Sequence, residues 1–311
     1  MMSVGGRTMR RTTPPKPVDV EEVFPELAVL ARMTVRLHPR PGTPQNSDSS
    51  MGGPLLWPSD EPWPRCAELD RHGKMLVELP DEPLPLVPVL QLFARDVPEL
   101  PFPEGTDLCQ VLWCPLDHDP DSIPEVTLRW RDSTTITTPR HEPAPIDAHH
   151  SRGDYLPLPC VLAPERVREH PDYSDVPWEL SQRIDAWEEQ AEHDWFYQYH
   201  LSAAPGTKVG GWPYWMQDPV WPSCAEGHTM EHLLTIASVE SDGGSWETWT
   251  PVEDRERITW HPSNVNGRPV QIALVPDKKP AGIMIGDAGD LYLFICLHCQ
   301  TRPILTIGQC S

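Results

Sequence analysis

Two fifteen-residue segments, GGPLLWPSDEPWPRC (Gly52–Cys66) and GGWPYWMQDPVWPSC (Gly210–Cys224), stand 158 residues apart and align without gaps. Gly52/Gly210, Gly53/Gly211, Trp57/Trp215, Asp60/Asp218, Trp63/Trp221, Pro64/Pro222 and Cys66/Cys224 are identical across that alignment. An apolar strand pattern follows each copy, VPVLQLF in the first half and HLLTIAS in the second. Each half then reaches a strand pattern ending in Cys, DLCQVLWC and DLYLFIC. The shared order implies duplication of a β-rich unit of about 100 residues. Neither copy is expected to bury its apolar face alone, so the two should pack on each other.

Composition narrows the choice of fold. The 311-residue chain carries 39 Pro, which disfavours long uninterrupted helices and implies many turns. One strong helix signal remains, PWELSQRIDAWEEQAEHDWFYQYH. Pro177 suits its first position, Asp175 its cap, and Leu180, Ile184, Trp187, Ala191 and Trp195 form one apolar stripe. A shorter helix is expected over Val20–Met33, with Pro25 in its first turn. The expectation is therefore a mainly β (α+β) fold. Two duplicated, roll-like β repeats pack together, with one prominent amphipathic helix between them and a short N-terminal helix. Residues 1–19 read as a disordered arm, 20–138 as the first repeat, 139–175 as a linker, and 176–311 as the helix with the second repeat. Strand patterns in the second half include ERITWHP, PVQIALVP, AGIMIGD and PILTIGQC.

A net charge of −21 argues against general nucleic-acid binding and favours a basic protein partner. No apolar run reaches 18 residues, so no membrane span is expected. The basic N-terminus lacks the apolar stretch of a signal peptide. These features point to the cytoplasm, where the eight Cys would stay reduced as metal ligands or buried thiols. Composition is silent on oligomeric state.

Two readings apply to the repeated corner. Gly allows a tight turn, Pro fixes an irregular path, and Trp covers a sheet end while its N–H meets a carbonyl. Alternatively Trp57, Trp63, Trp215 and Trp221 line a binding surface, with Asp60 and Asp218 beside them. Asp287 and Asp290, in GDAGD (Gly286–Asp290), could approach a cation, although a hairpin turn accounts for the same residues.

The best metal signal is the Cys296-x2-Cys299 pair. Cys224 and His228 supply a Cys-x3-His on the repeated corner, and the four would form a closed Cys3His site for one structural zinc. His232, His298 and Cys310 are further candidate ligands. The first half offers Cys66, Cys114 and His118, which read as an incomplete version, so the metal is expected in the second half. No G-x-S-x-G, Walker A or H-E-x-x-H sequence is present. His149 and His150, beside Asp147 and Asp154, with Cys160 following, form a weak nucleophile pattern.

The segments KVGGWPYWMQDP and GDAGDLYLF, together with GGPLLWP and LVPVLQLFARDVPELPFPEG, resemble the bacterial YwqG-like family. That resemblance spans about Gly52–Cys114 and Lys208–Phe294. It implies a mainly β, internally duplicated fold of roll type, and it brings no established catalytic residues. Some relatives lie near toxin and immunity genes, which implies an immunity or accessory role. Relatives carry a Cys-x2-Cys on the second corner, where this chain has Gly227 followed by His228. Three functional expectations result. The first is a non-enzymatic binding protein with a basic protein partner. The others are a hydrolase-type enzyme using the cleft between the repeats, and a structural zinc protein of a larger assembly.

Overall fold

The computed structural model describes residues 10–73, 82–190, 195–241, 244–265 and 268–310. Most of the apolar strand patterns become strands. The first repeat supplies β1 (Arg32–Arg36), β2 (Arg40–Pro41), β3 (Ser50–Met51), β4 (Val87–Phe93), β5 (Leu108–His118) and β6 (Ile123–Arg131). The second supplies β7 (Cys160–Val161), β8 (Glu165–Glu169), β9 (Lys208–Gly210) and β10 (Glu231–Ala237). It continues with β11 (Thr259–Val265), β12 (Arg268–Leu274), β13 (Asp290–Ile295) and β14 (Ile304–Gln309). The mainly β expectation holds.

Two six-stranded antiparallel sheets form, ordered β2-β7-β3-β4-β5-β6 and β14-β13-β10-β9-β1-β8, while β11 and β12 pair as a separate hairpin. The two orders are the same pattern with the repeats exchanged. β1, from the first repeat, lies between β9 and β8 of the second, with Val35 opposite both Val209 and Arg166. β7, from the second repeat, lies between β3 and β2 of the first, with Cys160 opposite both Met51 and Pro41. Each repeat therefore lends its first strand to the other's sheet. The stretch expected as a linker, 139–175, instead carries β7 and β8, the opening strands of the second repeat, and ties the sheets together.

One core fills the space between the sheets. Val89, Val111 and Trp113 of the first meet Val35, Val209, Leu234, Leu291 and Leu293 of the second. The segment AGIMIGD adds Ala281, Ile283 and Ile285 to that core but forms no strand. Its only ladder contact is the Ile285–Gly289 bridge around a tight turn.

Helical expectations change at two places. Over Val20–Met33 the chain makes α1 (Val20–Val23) and α2 (Leu27–Leu30), then enters β1. Pro25 causes the break, because its ring forces Phe24 out of the helical region to φ −130° and ψ 83°. The strong helix, α3, runs Trp178–Gln190. Its stripe residues Leu180 and Ile184 pack with Phe24, Leu27 and Tyr197, and Trp187 meets Phe24 edge-on at 5.8 Å. Ala191 lies outside the described residues. The arm expected to be disordered is docked from Arg11 onward. Arg11 bonds Asp254, Thr13 donates to Glu165, and Lys16 donates to the Leu201 carbonyl. No helix among the described residues is long and apolar enough to cross a membrane.

A buried ion pair marks the exchange point. Lys208 Nζ, on β9, lies 3.0 and 3.1 Å from the two carboxylate oxygens of Glu169, at the end of β8, and neither side chain is exposed. Ala204 and Trp212 also donate their backbone N–H groups to Glu169. Burial pushes the Lys208 ammonium's pKa down, and Glu169 opposes it. Gly211 has φ +72°, and a Cβ there would stand 2.1 Å from a Glu169 oxygen, so only Gly fits. Its counterpart corner is constrained alike: Gly52 has φ +60°, and a Cβ would stand 2.6 Å from the Leu158 carbonyl oxygen.

Glu169→Ala is expected to cost about 3–5 kcal/mol, read as a lower urea midpoint, because it strands a buried ammonium. Combining it with Lys208→Met should recover part of that loss. An additive effect of the two changes would contradict the pairing.

Acid stability follows from two buried imidazoles. Burial lowers His38 to about 4 and His232 to about 3, against 6.5 for the free side chain. The unfolded chain therefore binds more protons than the folded one below pH 6.5, and stability falls as pH drops from 6.5 towards 4. Urea midpoints measured across that window should fall with acid, and the slope should flatten in His38→Gln.

Candidate metal centres at the repeated corners

The two copies of the repeated corner cover the outer faces of the two sheets. Leu112, Cys114 and Leu116 of β5 point outward against Leu55, Trp57, Cys66, Leu84 and Leu86. Tyr292 and Phe294 of β13, with the next residue Cys296, point outward against Trp215, Cys224 and Met230. Strand alternation sends their neighbours Val111, Trp113, Leu291, Leu293 and Ile295 into the central core.

This placement decides the role of the tryptophans. Trp57 and Trp215 are buried and face the sheets, not solvent. Trp57 Nε1 donates to the Glu61 carbonyl, and Trp63 Nε1 to the Leu86 carbonyl. Trp215 and Trp221 donate to the two oxygens of one carboxylate, Asp175, each at 2.7 Å. The binding-surface reading of Trp57, Trp215 and Trp221 gives way to a structural one, since their polar edges are engaged inside the fold. Asp175 is likewise not the cap of α3. The helical ladder opens at the Pro177 carbonyl, which accepts from Leu180 and Ser181.

Four of the residues expected as zinc ligands converge. Cys224 Sγ stands 3.5 Å from His228 Nδ1 and 3.7 Å from Cys299 Sγ. His228 Nδ1 is also 3.5 Å from Cys299 Sγ and 3.8 Å from Cys296 Sγ. With usual zinc bond lengths, a tetrahedral site requires about 3.6 Å between S and N ligands and about 3.8 Å between two S ligands. The observed spacings match that requirement. Local structure explains how. Gly227, at φ +81°, turns the chain so that its N–H reaches the Cys224 carbonyl at 2.8 Å and His228 folds back over the cysteine. A second turn closes after Cys299, where Arg302 N–H donates to the Cys299 carbonyl at 3.0 Å.

The thiols respond to their surroundings. Burial pushes the Cys224 thiol up, but backbone N–H groups of His228 and Glu226 and the neighbouring thiols outweigh it and bring it down to about 6. Burial and hydrogen bonding to Cys296 push Cys299 up to about 12. A cluster that already favours one thiolate suits a divalent soft-ligand metal.

The first half is not incomplete. Cys66, Cys114 and His118 meet His72, and their ligand atoms lie within 4.8 Å of one another, as do those of the second cluster. His72 escaped the sequence reading because it sits six residues after its cysteine, whereas His228 follows Cys224 by four. The signal was its place after the duplicated Cys, on the same side as His228. The expectation of a metal site confined to the second half is therefore corrected: both repeats hold four groups that could bind a metal ion.

The remaining candidates separate. His232 is buried and bonds the Gly210 carbonyl and Thr235, so it ligates neither cluster. His298 lies beside His228 with ring centres 5.1 Å apart and planes tilted by 39°, but does not join the four. Cys310 packs under the turn at Gly286 and Gly289. Asp287 is exposed on that turn, which the Gly289 N–H closes onto the Ile285 carbonyl at 2.8 Å. Asp218 is exposed, and its carbonyl accepts from Gln309. Asp60 lines an open groove of about 620 Å³ beside Trp130 and Asp132. His150 pairs with Asp147 at 2.8 Å, while Cys160 lies in the central core. Burial raises the Cys160 thiol to about 12, the opposite of an activated nucleophile.

Between the repeats, Arg36, His38 and Arg40 face Glu240, Trp249 and Lys278 around a cavity of about 10 Å³. Burial lowers Arg36 to about 10 and raises Glu240. The charges are perturbed as an active site's would be, but the space is about the size of one water molecule and too small for a substrate. Comparison with protein-family models and with curated protein sequences returns no match.

Asp175→Ala should lower stability by about 2–4 kcal/mol, since two indole N–H groups lose a charged acceptor. Thermal unfolding measures the loss. A change below about 0.5 kcal/mol, the usual range for a surface site, would show that Asp175 does not hold the corner.

Proposed function

We propose that the protein is a non-enzymatic binding protein whose second repeat is stapled by a structural zinc ion on Cys224, His228, Cys296 and Cys299. The observation that carries the zinc reading is the closed set of four protein ligands at tetrahedral spacing. Such a set leaves no open position for substrate, so its metal would fasten two turns together rather than activate water. The fastened elements are the corner after β9 and the turn after β13, which are 72 residues apart between Cys224 and Cys296.

The partner side of the reading rests on charge. A chain with net charge −21 attracts basic surfaces and speeds their encounter. Resemblance to the YwqG-like family supports an immunity or accessory role in the cytoplasm, with a basic protein as the partner. The hydrolase alternative needs a substrate-sized cleft between the repeats, and the 10 Å³ cavity there offers it no support.

Metal analysis of the purified protein tests the staple. Zinc should be present, and Cys296→Ser should release the second-repeat ion together with a fall in melting temperature. Retention of all metal in that variant would refute the site. For the partner, association with a basic protein should weaken steeply between 50 and about 300 mM salt, because exposed charge pairs are screened within a Debye length of about 10 Å or less. A complex indifferent to salt would count against an electrostatic interface.

A further inference from the structure

We propose that the first repeat holds a second zinc ion, in a fully buried tetrahedral site made by Cys66, His72, Cys114 and His118. The spacing carries it. Cys66 Sγ is 3.4 Å from His72 Nε2 and 3.4 Å from His118 Nε2, and Cys114 Sγ is 3.4 Å from His72 Nε2. These values approach the S···N separation of about 3.6 Å that a tetrahedral zinc requires. Two sulfurs and two imidazole nitrogens at one point are the donor set that selects zinc among common divalent ions.

The surroundings favour a bound ion. All four residues are at most 5% exposed, within a shell of Leu55, Leu84, Leu86, Leu112 and Leu116. Converging polar groups in an apolar pocket are costly unless something satisfies them. The Nδ1 atoms of His72 and His118 are buried without a hydrogen-bond partner, while their Nε2 atoms aim into the cluster. That orientation fits imidazoles ligating through Nε2 and keeping a proton on Nδ1. Glu68 Oε2 stands 3.7 Å from His118 Nδ1, placed as the carboxylate that commonly orients a zinc-bound histidine.

Topology assembles the site from the repeated elements. Cys66 N–H is fixed to the Leu84 carbonyl at 2.8 Å. His72 pairs with His118 in an isolated antiparallel bridge, flanked by bonds from Gly73 N–H to Asp117 and from Asp119 N–H to Arg71. Cys114, Leu116 and His118 alternate onto one face of β5. Zinc binding would release the two thiol protons to solvent and leave a neutral site, Zn²⁺ with two thiolates and two neutral imidazoles. The second-repeat set, with three thiolates, would carry a charge of −1. The neutral set is the buried one, and the charged set has its His228 at the surface. This matches the cost of burying net charge.

The test counts ions in the full-length chain by native mass spectrometry and elemental analysis. Two zinc ions per chain are expected. Cys66→Ser and His72→Ala should each retain one, and Cys299→Ser should retain the other. A zinc-chelating dye should draw one equivalent quickly from the native protein, through exposed His228, and the second only after unfolding. Should the first-repeat variants fail to fold, cobalt substitution of the unaltered chain gives the same answer. Its thiolate-to-cobalt absorption should correspond to five thiolates rather than three. One ion per chain, lost in Cys299→Ser and kept in His72→Ala, would overturn this site and leave the second-repeat staple standing. One ion lost in His72→Ala alone would do the reverse, and no ion at all would overturn both.

Discussion

Each sheet is completed by a strand from the other repeat. β1 lies inside the second sheet and β7 inside the first, so neither repeat can satisfy its own backbone ladder. Removing β1 would uncover the N–H and C=O groups of β9 and detach β8 with it, and buried backbone groups tolerate no such loss. The exchange also carries the chain past both Gly pairs. The stretch around Pro157–Glu169 runs so close to Gly52 and Gly211 that side chains are excluded at both. The buried Lys208–Glu169 pair sits where β8, β9 and the second corner meet: Glu169, the last residue of β8, accepts from Ala204 ahead of β9, from Lys208 on β9 and from Trp212 in the corner.

With the sheets locked face to face, only their outer faces remain to be covered. The repeated corners do that, one on each sheet, with Trp and Pro in place of a helical layer. A short irregular corner has few backbone hydrogen bonds of its own and a small apolar area. Its stability has to come from cross-links. Indole N–H bonds supply some, most visibly the shared Asp175 carboxylate under Trp215 and Trp221. The Cys/His clusters lie under the same corners, each joining a corner to the far end of a strand, β5 or β13. The two clusters are alike in placement but differ in composition, two Cys and two His in the first and three Cys and one His in the second.

Much of the fold was legible in the sequence because its signals are local. Short apolar runs between turn residues marked β4, β5, β13 and β14, and the match between Gly52–Cys66 and Gly210–Cys224 marked the two corners. Cys224, His228, Cys296 and Cys299 were recognisable by short spacings within each pair. His72 was not, because its partner Cys66 and its opposite number His118 are brought to it by an isolated bridge with no periodic pattern. Asp175 showed the same limit. Beside Pro177 it resembles a helix cap, yet its oxygens serve two indoles that lie 40 and 46 residues further along.

By itself, then, the sequence determined a β-rich chain with two similar corners and one set of residues that could hold a soft-ligand metal. These follow from repeat identity, alternation and turn chemistry, all of which operate within a few residues. The tertiary structure alone decided that the repeats exchange strands, that the tryptophans face inward, and that the first repeat also gathers four groups that could hold a metal ion. Those outcomes depend on which segments meet at long range, from about 40 residues for the Asp175 bonds to well over a hundred for the exchanged strands. Strand pairing and the satisfaction of buried polar groups select those meetings, and neither leaves a local trace in the chain.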